Sequence, residues 1–197
     1  MKRDAALALL AERKIDNSAS SFFIHRDDAE VMKALVKVGL DPEQTSLRMS
    51  REHILETAYT SGDSKLFSNL LKAGASPNIP CSSSTHKEPF LFTVAHSSQK
   101  SPSRFLKAMV KYGVDLNVIH PSSGWSILHV FVTSENKLKP LKYLVENGAL
   151  IHNPKVKIKS FVELVKEEYQ KHVQYNRHWL LDEYKEKLDY VLEQAAL

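Results

Sequence analysis

Two apolar residues, a charged one, a variable one and glycine recur in that order four times: Leu35-Val36-Lys37-Val38-Gly39, Leu70-Leu71-Lys72-Ala73-Gly74, Met109-Val110-Lys111-Tyr112-Gly113 and Leu144-Val145-Glu146-Asn147-Gly148. The glycines stand 35, 39 and 35 residues apart. Each group closes an amphipathic run, and a glycine can take the left-handed conformation that stops a helix. An earlier leucine of each unit, Leu55, Leu91 and Leu128, repeats at intervals of 36 and 37. The pattern predicts an essentially all-α chain, with paired helices near 52–60 and 64–73, 90–97 and 102–112, and 126–133 and 140–147. A sheet beyond short turn pairings has no place in it.

The residues just after the glycines recur as well, in Gly39-Leu40-Asp41-Pro42, Gly74-Ala75-Ser76-Pro77-Asn78 and Gly113-Val114-Asp115-Leu116-Asn117. The most complete unit runs from Gly124-Trp125-Ser126-Ile127-Leu128-His129 to Leu144-Val145-Glu146-Asn147-Gly148-Ala149. A turn glycine, a Leu-His helix start and a second helix ended by Gly-Ala match the plan of one ankyrin repeat of about 33 residues. Self-similarity at this period marks a stack in which no unit buries its apolar face alone. On these residues the chain resembles the ankyrin-repeat family over roughly Ser18–His152. The resemblance implies an ankyrin-repeat solenoid of helix-turn-helix units with an N-terminal capping helix, over 1–152, and a C-terminal helical cap or pair of docking helices over 153–197.

The units differ in quality. Lys2-Arg3 and the run Ala5–Ala11 faintly suggest a signal peptide, but Asp4 and Glu12-Arg13-Lys14 hem in a short apolar stretch. A capping helix with Ala6, Leu9 and Leu10 turned inward suits it better. The first repeat, about 18–44, carries Phe22, Phe23 and Ile24 where the family has small residues. In the second, about 47–79, Leu55 and Ala58 match the family and Asp63 reads as a helix cap. Glu56 stands where the family has histidine, so the polar stitch between repeats is expected to be missing there. The third, about 85–117, has a polar loop Cys81–Glu88, an insertion Ser97–Ser101, and Phe92 in the histidine slot. Ser101 with Pro102 is expected to open its second helix. In the fourth, His129 occupies the family's histidine position and is expected to bond nearby backbone.

After Pro154 the period stops, and Val156–Leu197 contains no Gly and no Pro. Ile158, Phe161, Val162, Val165 and Tyr169 form one helical stripe; Trp179, Leu181, Tyr184, Leu188, Val191 and Leu192 form another. A break at Tyr175-Asn176-Arg177 makes two antiparallel helices, and one long helix is the alternative.

Composition narrows the chemistry. Cys81 is the single cysteine, so an internal disulfide and a cysteine-based zinc cluster are excluded. The nine histidines lie scattered, and His172 and His178 miss the three-or-four spacing of a metal pair. Cys81 near His86 has no orienting third group. The motifs of phosphate, dinucleotide, serine-hydrolase and zinc-protease sites are all missing. No catalytic residue, metal or cofactor is expected, and the chain reads as non-enzymatic. The net charge of +4 is spread over a tail rich in both signs, which disfavours a phosphate track. No stretch reaches the ~18 apolar residues of a membrane span. An intracellular, cytoplasmic monomer without membrane contact is expected.

The resemblance implies one remaining function, the binding of a protein partner on a concave face made of turn tips and first-helix sides. Position by position, that face holds Met49, Ser50, Glu52, Thr60 and Ser61 of the second repeat. The third contributes Thr85, His86, Glu88, His96 and Ser97, and the fourth Ser122, Ser123, Trp125, Thr133 and Ser134. Trp125 fills the variable slot of its turn, where it either meets a partner or packs on a neighbouring turn or on the C-terminal helices. The alternative is the recognition arm of a secreted bacterial effector delivered into a host cell, with the C-terminal helices as a second contact.

Overall fold

A computed structural model describes residues 53–82, 86–98, 101–132 and 138–196. The expected N-terminal cap and first repeat, and Met49, Ser50, Glu52, Thr85, Thr133 and Ser134, lie outside the described residues. Within them the chain is helical: α1 (Ile54–Thr60), α2 (Ser64–Lys72), α3 (Phe90–His96), α4 (Arg104–Lys111), a 3₁₀ helix (Ile127–Phe131), α5 (Leu138–Glu146), α6 (Phe161–Gln174) and α7 (His178–Ala195). No strand forms among the described residues; two isolated bridges pair Pro80 with Pro89 and Ile119 with Ser126. The chain divides into two compact units, one of Met1–Phe90 with Lys107–Val114, the other of Leu91–Leu106 with Asp115–Leu197.

Among the described residues, the recurring glycines are helix stops of one kind. After α2, the N–H of Gly74 donates to the Leu71 carbonyl and that of Ala75 to the Leu70 carbonyl, both at 3.1 Å. After α4, Gly113 and Val114 donate to Val110 and Met109, and after α5, Gly148 and Ala149 donate to Val145 and Leu144. Each is a Schellman motif, in which two crossed bonds satisfy the last carbonyls of a helix. The apolar pair of the sequence pattern supplies the acceptors. Gly74, Gly113 and Gly148 have φ of 112°, 81° and 101°, where a Cβ is strained.

In the first unit α1 packs on α2. Asp63 caps α2, its carboxylate accepting from Lys65 and Leu66 N–H at 3.1 and 2.9 Å. Leu55, Ala58, Leu66, Phe67, Leu70, Leu71 and Phe90 are buried, with the Phe90 ring edge-on to Tyr59 at 5.3 Å. Glu56 corrects the sequence expectation. Its buried carboxylate accepts from the backbone N–H of His53 at 2.9 Å and of Ser82 at 2.7 Å, and from the Ser82 hydroxyl. A polar tie is made at this position, from the helix to the loop after Pro80.

In the second unit, the helix expected from Ser101 and Pro102 begins at Arg104. The Ser103 hydroxyl, accepting from Leu106 N–H at 3.1 Å, is the cap. Proline disfavours helical backbone in the residue before it, which leaves Ser101 out. The helix expected over 126–133 is a 3₁₀ turn: the N–H groups of His129 and Val132 donate three residues back, to Ser126 and His129. The carbonyls of Phe131 and Val132, which a continuing α-helix would use, instead receive the ammonium of Lys187 at 3.0 and 3.4 Å.

The tail is a helical hairpin. Ser160 and Glu163 form a reciprocal capping box at the start of α6, and Asn176, at φ 53°, turns the chain between α6 and α7. Phe161, Val162 and Val165 face inward as expected, but Ile158 precedes the helix and is 41% exposed. On α7 Tyr184 and Val191 of the expected stripe are buried, together with Leu180 and Lys187 from outside it, while Trp179 and Leu192 are 78% and 39% exposed. The buried set keeps the helical spacing only with a lysine counted as an inward position.

Candidate partner-binding surface

The turn before the 3₁₀ helix is built by its own backbone. His120 N–H donates to the Trp125 carbonyl at 2.8 Å and Gly124 N–H to the His120 carbonyl at 2.9 Å. His120 Nδ1 accepts from Ser123 N–H at 3.2 Å. Gly124 has φ 71°, and a Cβ there would stand 3.3 Å from a methyl carbon of Ile158. A side chain at 124 would therefore both strain the turn and push away the segment leading into α6.

This geometry sets Trp125 over His129, the rings 6.0 Å apart and nearly parallel at 15°. The other side of His129 meets the edge of Phe161 at 5.8 Å. Trp125 remains 42% exposed. One face of the indole rests on His129, in the helix that the turn leads into, and the rest meets solvent.

His129 is buried, and its partners fix its tautomer. Nδ1 accepts from the backbone N–H of Ser126 at 3.1 Å, so the ring proton sits on Nε2, which faces the Lys159 carbonyl at 3.4 Å. Burial pushes the imidazole below its ordinary pKa, against the opposing effect of the hydrogen bonds to Lys159 and Ser126. The expected bond to nearby backbone is made.

The remaining expected positions behave less uniformly. Thr60, Ser61, His86, His96, Ser97 and Ser122 are exposed, and Glu88 and Ser123 are half-buried. The hydroxyls of Thr60, Ser61 and Ser97 donate to carbonyls three residues back, on Thr57, Ala58 and Val94. They finish their own helices and offer a partner only acceptor lone pairs. Of the expected set, the structure brings Ser122, Ser123 and Trp125 together in one turn.

Sequence reasoning missed a cavity of about 250 Å³ beside this turn, lined by His129, Ile151, Asn153, Val156, Ile158 and Phe161 among others. It also missed the burial of His172, whose ring lies 4.1 Å from that of Tyr184 and whose Nε2 lies 3.6 Å from Glu168. Neither carried a signal, since both depend on how the segment after Gly148 folds back. Among the described residues, no three His, Cys, Asp or Glu gather as a metal site, and no helix is long and apolar enough to cross a membrane. No protein-family profile matches the chain, and comparison with curated proteins finds no match.

Proposed function

We propose that the chain is an ankyrin-repeat interaction module, non-enzymatic, that binds a protein partner through its turn tips and first-helix ends. In this reading residues 1–152 are the repeats and 153–197 their C-terminal cap. The observation that carries it is a repeated bond. Asn78 donates its carboxamide to the carbonyl of Gly113, and Asn117 donates to that of Gly148, at 3.4 and 3.0 Å. In each case the asparagine four residues beyond one helix-ending glycine holds the next helix-ending glycine. That is the kind of neighbour-to-neighbour tie a repeat stack uses.

Trp125 is the energetic centre of the proposed face. A half-exposed indole backed by a histidine ring is already ordered, so a partner gains its area without freezing many rotors. The test is capture of binding proteins from a cell lysate by the intact chain and by Trp125→Ala, with circular dichroism as a folding control. The expected result is a partner retained by the first and lost by the second. Identical sets from both chains would remove Trp125 from the binding face.

A second contact on the tail is favoured by one observation. Val173, Tyr175 and Trp179, 50%, 64% and 78% exposed, cluster at the α6–α7 turn. In that reading the protein acts as a recognition arm that grips its partner at two places.

A further inference from the structure

Apart from His152, which is exposed, the polar groups in the wall of the cavity beside His129 are already engaged. The Asn153 carboxamide donates to the Asn117 carbonyl at 3.1 Å and accepts from Lys155 N–H at 3.0 Å. Ser160 and Glu163 satisfy each other at the helix start. His129 Nδ1 belongs to Ser126. What the cavity offers a visitor is therefore its apolar wall of Ile151, Val156, Ile158 and Phe161. Its volume, about 250 Å³, is that of a slot for one large side chain rather than for a small-molecule substrate.

The segment that lines the cavity is basic. Val156 and Ile158 line the cavity, while the alternating Lys155, Lys157 and Lys159 are exposed. No Asp or Glu occurs between Asp115 and Glu135, or between Glu146 and Glu163. Lys159 is paired with Glu167, and Lys155 and Lys157 are exposed on the same segment. Glu163, at the start of α6, is the carboxylate nearest in sequence and is bound to Ser160. Ile158, in the lining, is 41% exposed, and Trp125, stacked on the lining residue His129, is 42% exposed.

We infer that this cavity is an anchor pocket for an acidic peptide segment of the partner: one aromatic or branched apolar side chain enters it, and flanking Asp or Glu residues meet Lys155 and Lys157. The inference rests on the reading of the chain as an interaction module and names the chemistry of its partner. Apolar anchoring gives the affinity, and the lysines fix register and speed encounter. A nucleic acid would use the lysines but has little to place in an apolar slot between them.

The test uses the full chain carrying Trp179→Phe, so that Trp125 is the sole tryptophan reporter. The probe is a synthetic nonapeptide of Asp and Glu with a central Phe. The expected result is a saturable change in Trp125 emission that weakens with added salt. Replacing the central Phe of the peptide by Ala should weaken binding at least about tenfold, the order expected for one buried large side chain. Ile158→Asp in the protein should abolish it, and the exposed pair Lys155→Ser with Lys157→Ser should weaken it without disturbing the fold. Equal binding of the Phe and Ala peptides would overturn the pocket, as would no saturation by about 1 mM or tighter binding of an oligouridylate. A lysate partner lost with Trp125→Ala but kept by folded Ile158→Asp would overturn the pocket while leaving the module reading intact. A partner indifferent to both variants would overturn the pocket and remove Trp125 from the binding face.

Discussion

The ammonium of Lys187, on the last helix, donates to the carbonyl of Phe131, 56 residues earlier, at 3.0 Å. The lysine is fully buried, lies over the Tyr184 ring at 4.3 Å, and also reaches the Val132 carbonyl. It ends the 3₁₀ turn Ile127–Phe131 in the way a basic residue caps a helix C-terminus, except that it comes from another helix. Lys187→Met keeps the length and loses the donor. The expected loss is about 1–3 kcal/mol, the usual effect of leaving buried acceptors unmatched. Lys185→Met, on the exposed side of the same helix, should stay within about 0.5 kcal/mol. Equal effects in chemical denaturation would mean the ammonium contributes nothing specific.

The same contact ties the hairpin to the body of its unit. Phe161, Val162, Val165, Leu180, Tyr184 and Val191 are all buried. Each large apolar side chain contributes roughly 1.5–3 kcal/mol when removed from water. A chain ending at Pro154 should therefore aggregate or melt without cooperativity. A truncated chain that stays monomeric and melts as sharply as the intact one would show the hairpin to be a free arm.

At Gly74 the backbone has φ 112°, and a Cβ would meet nothing within 4 Å. Any destabilisation there is conformational and owes nothing to crowding. Gly74→Val should lose more than the ~1 kcal/mol of an ordinary helix glycine change, because a β-branched residue resists this region. An unchanged melting temperature would refute the helix-stop role.

His129 makes stability depend on pH in a definite direction. Its folded pKa lies below the ordinary 6.5, with burial the main cause. The unfolded chain thus takes up this proton first as pH falls, and stability contributed by the neutral ring is complete above about 6.5 and declines below it. His129→Gln removes that part of the titration. The gap in unfolding free energy between the native chain and the variant should narrow from pH 7.5 to pH 5; a gap that is constant or widens towards acid would contradict the assignment.

The features that backbone geometry demands were legible in the sequence. Glycine at 74, 113 and 148 and apolar residues two and three positions into each helix end are the Schellman motif written in residue types, and Asp63 and His129 sit at capping positions whose chemistry is local. Contacts across tens of residues were illegible. Lys187 counts as polar in any pattern, yet its ammonium reaches carbonyls that no local rule connects to it. Glu56 misleads because the family's histidine sets the expectation, while the carboxylate reaches Ser82 by another route. Propensity does not separate 3₁₀ from α over the five residues Ile127–Phe131. The cavity exists only because Ile151–Phe161 folds back beside His129.

Trp125 is the centre of the protein-binding face proposed for this chain. The direct measurement is isothermal titration calorimetry of the captured partner against the intact chain and against folded Trp125→Ala. A central aromatic anchor is worth about 2 kcal/mol or more, so the dissociation constant should rise at least about thirtyfold. A dissociation constant unchanged by the substitution would contradict that role.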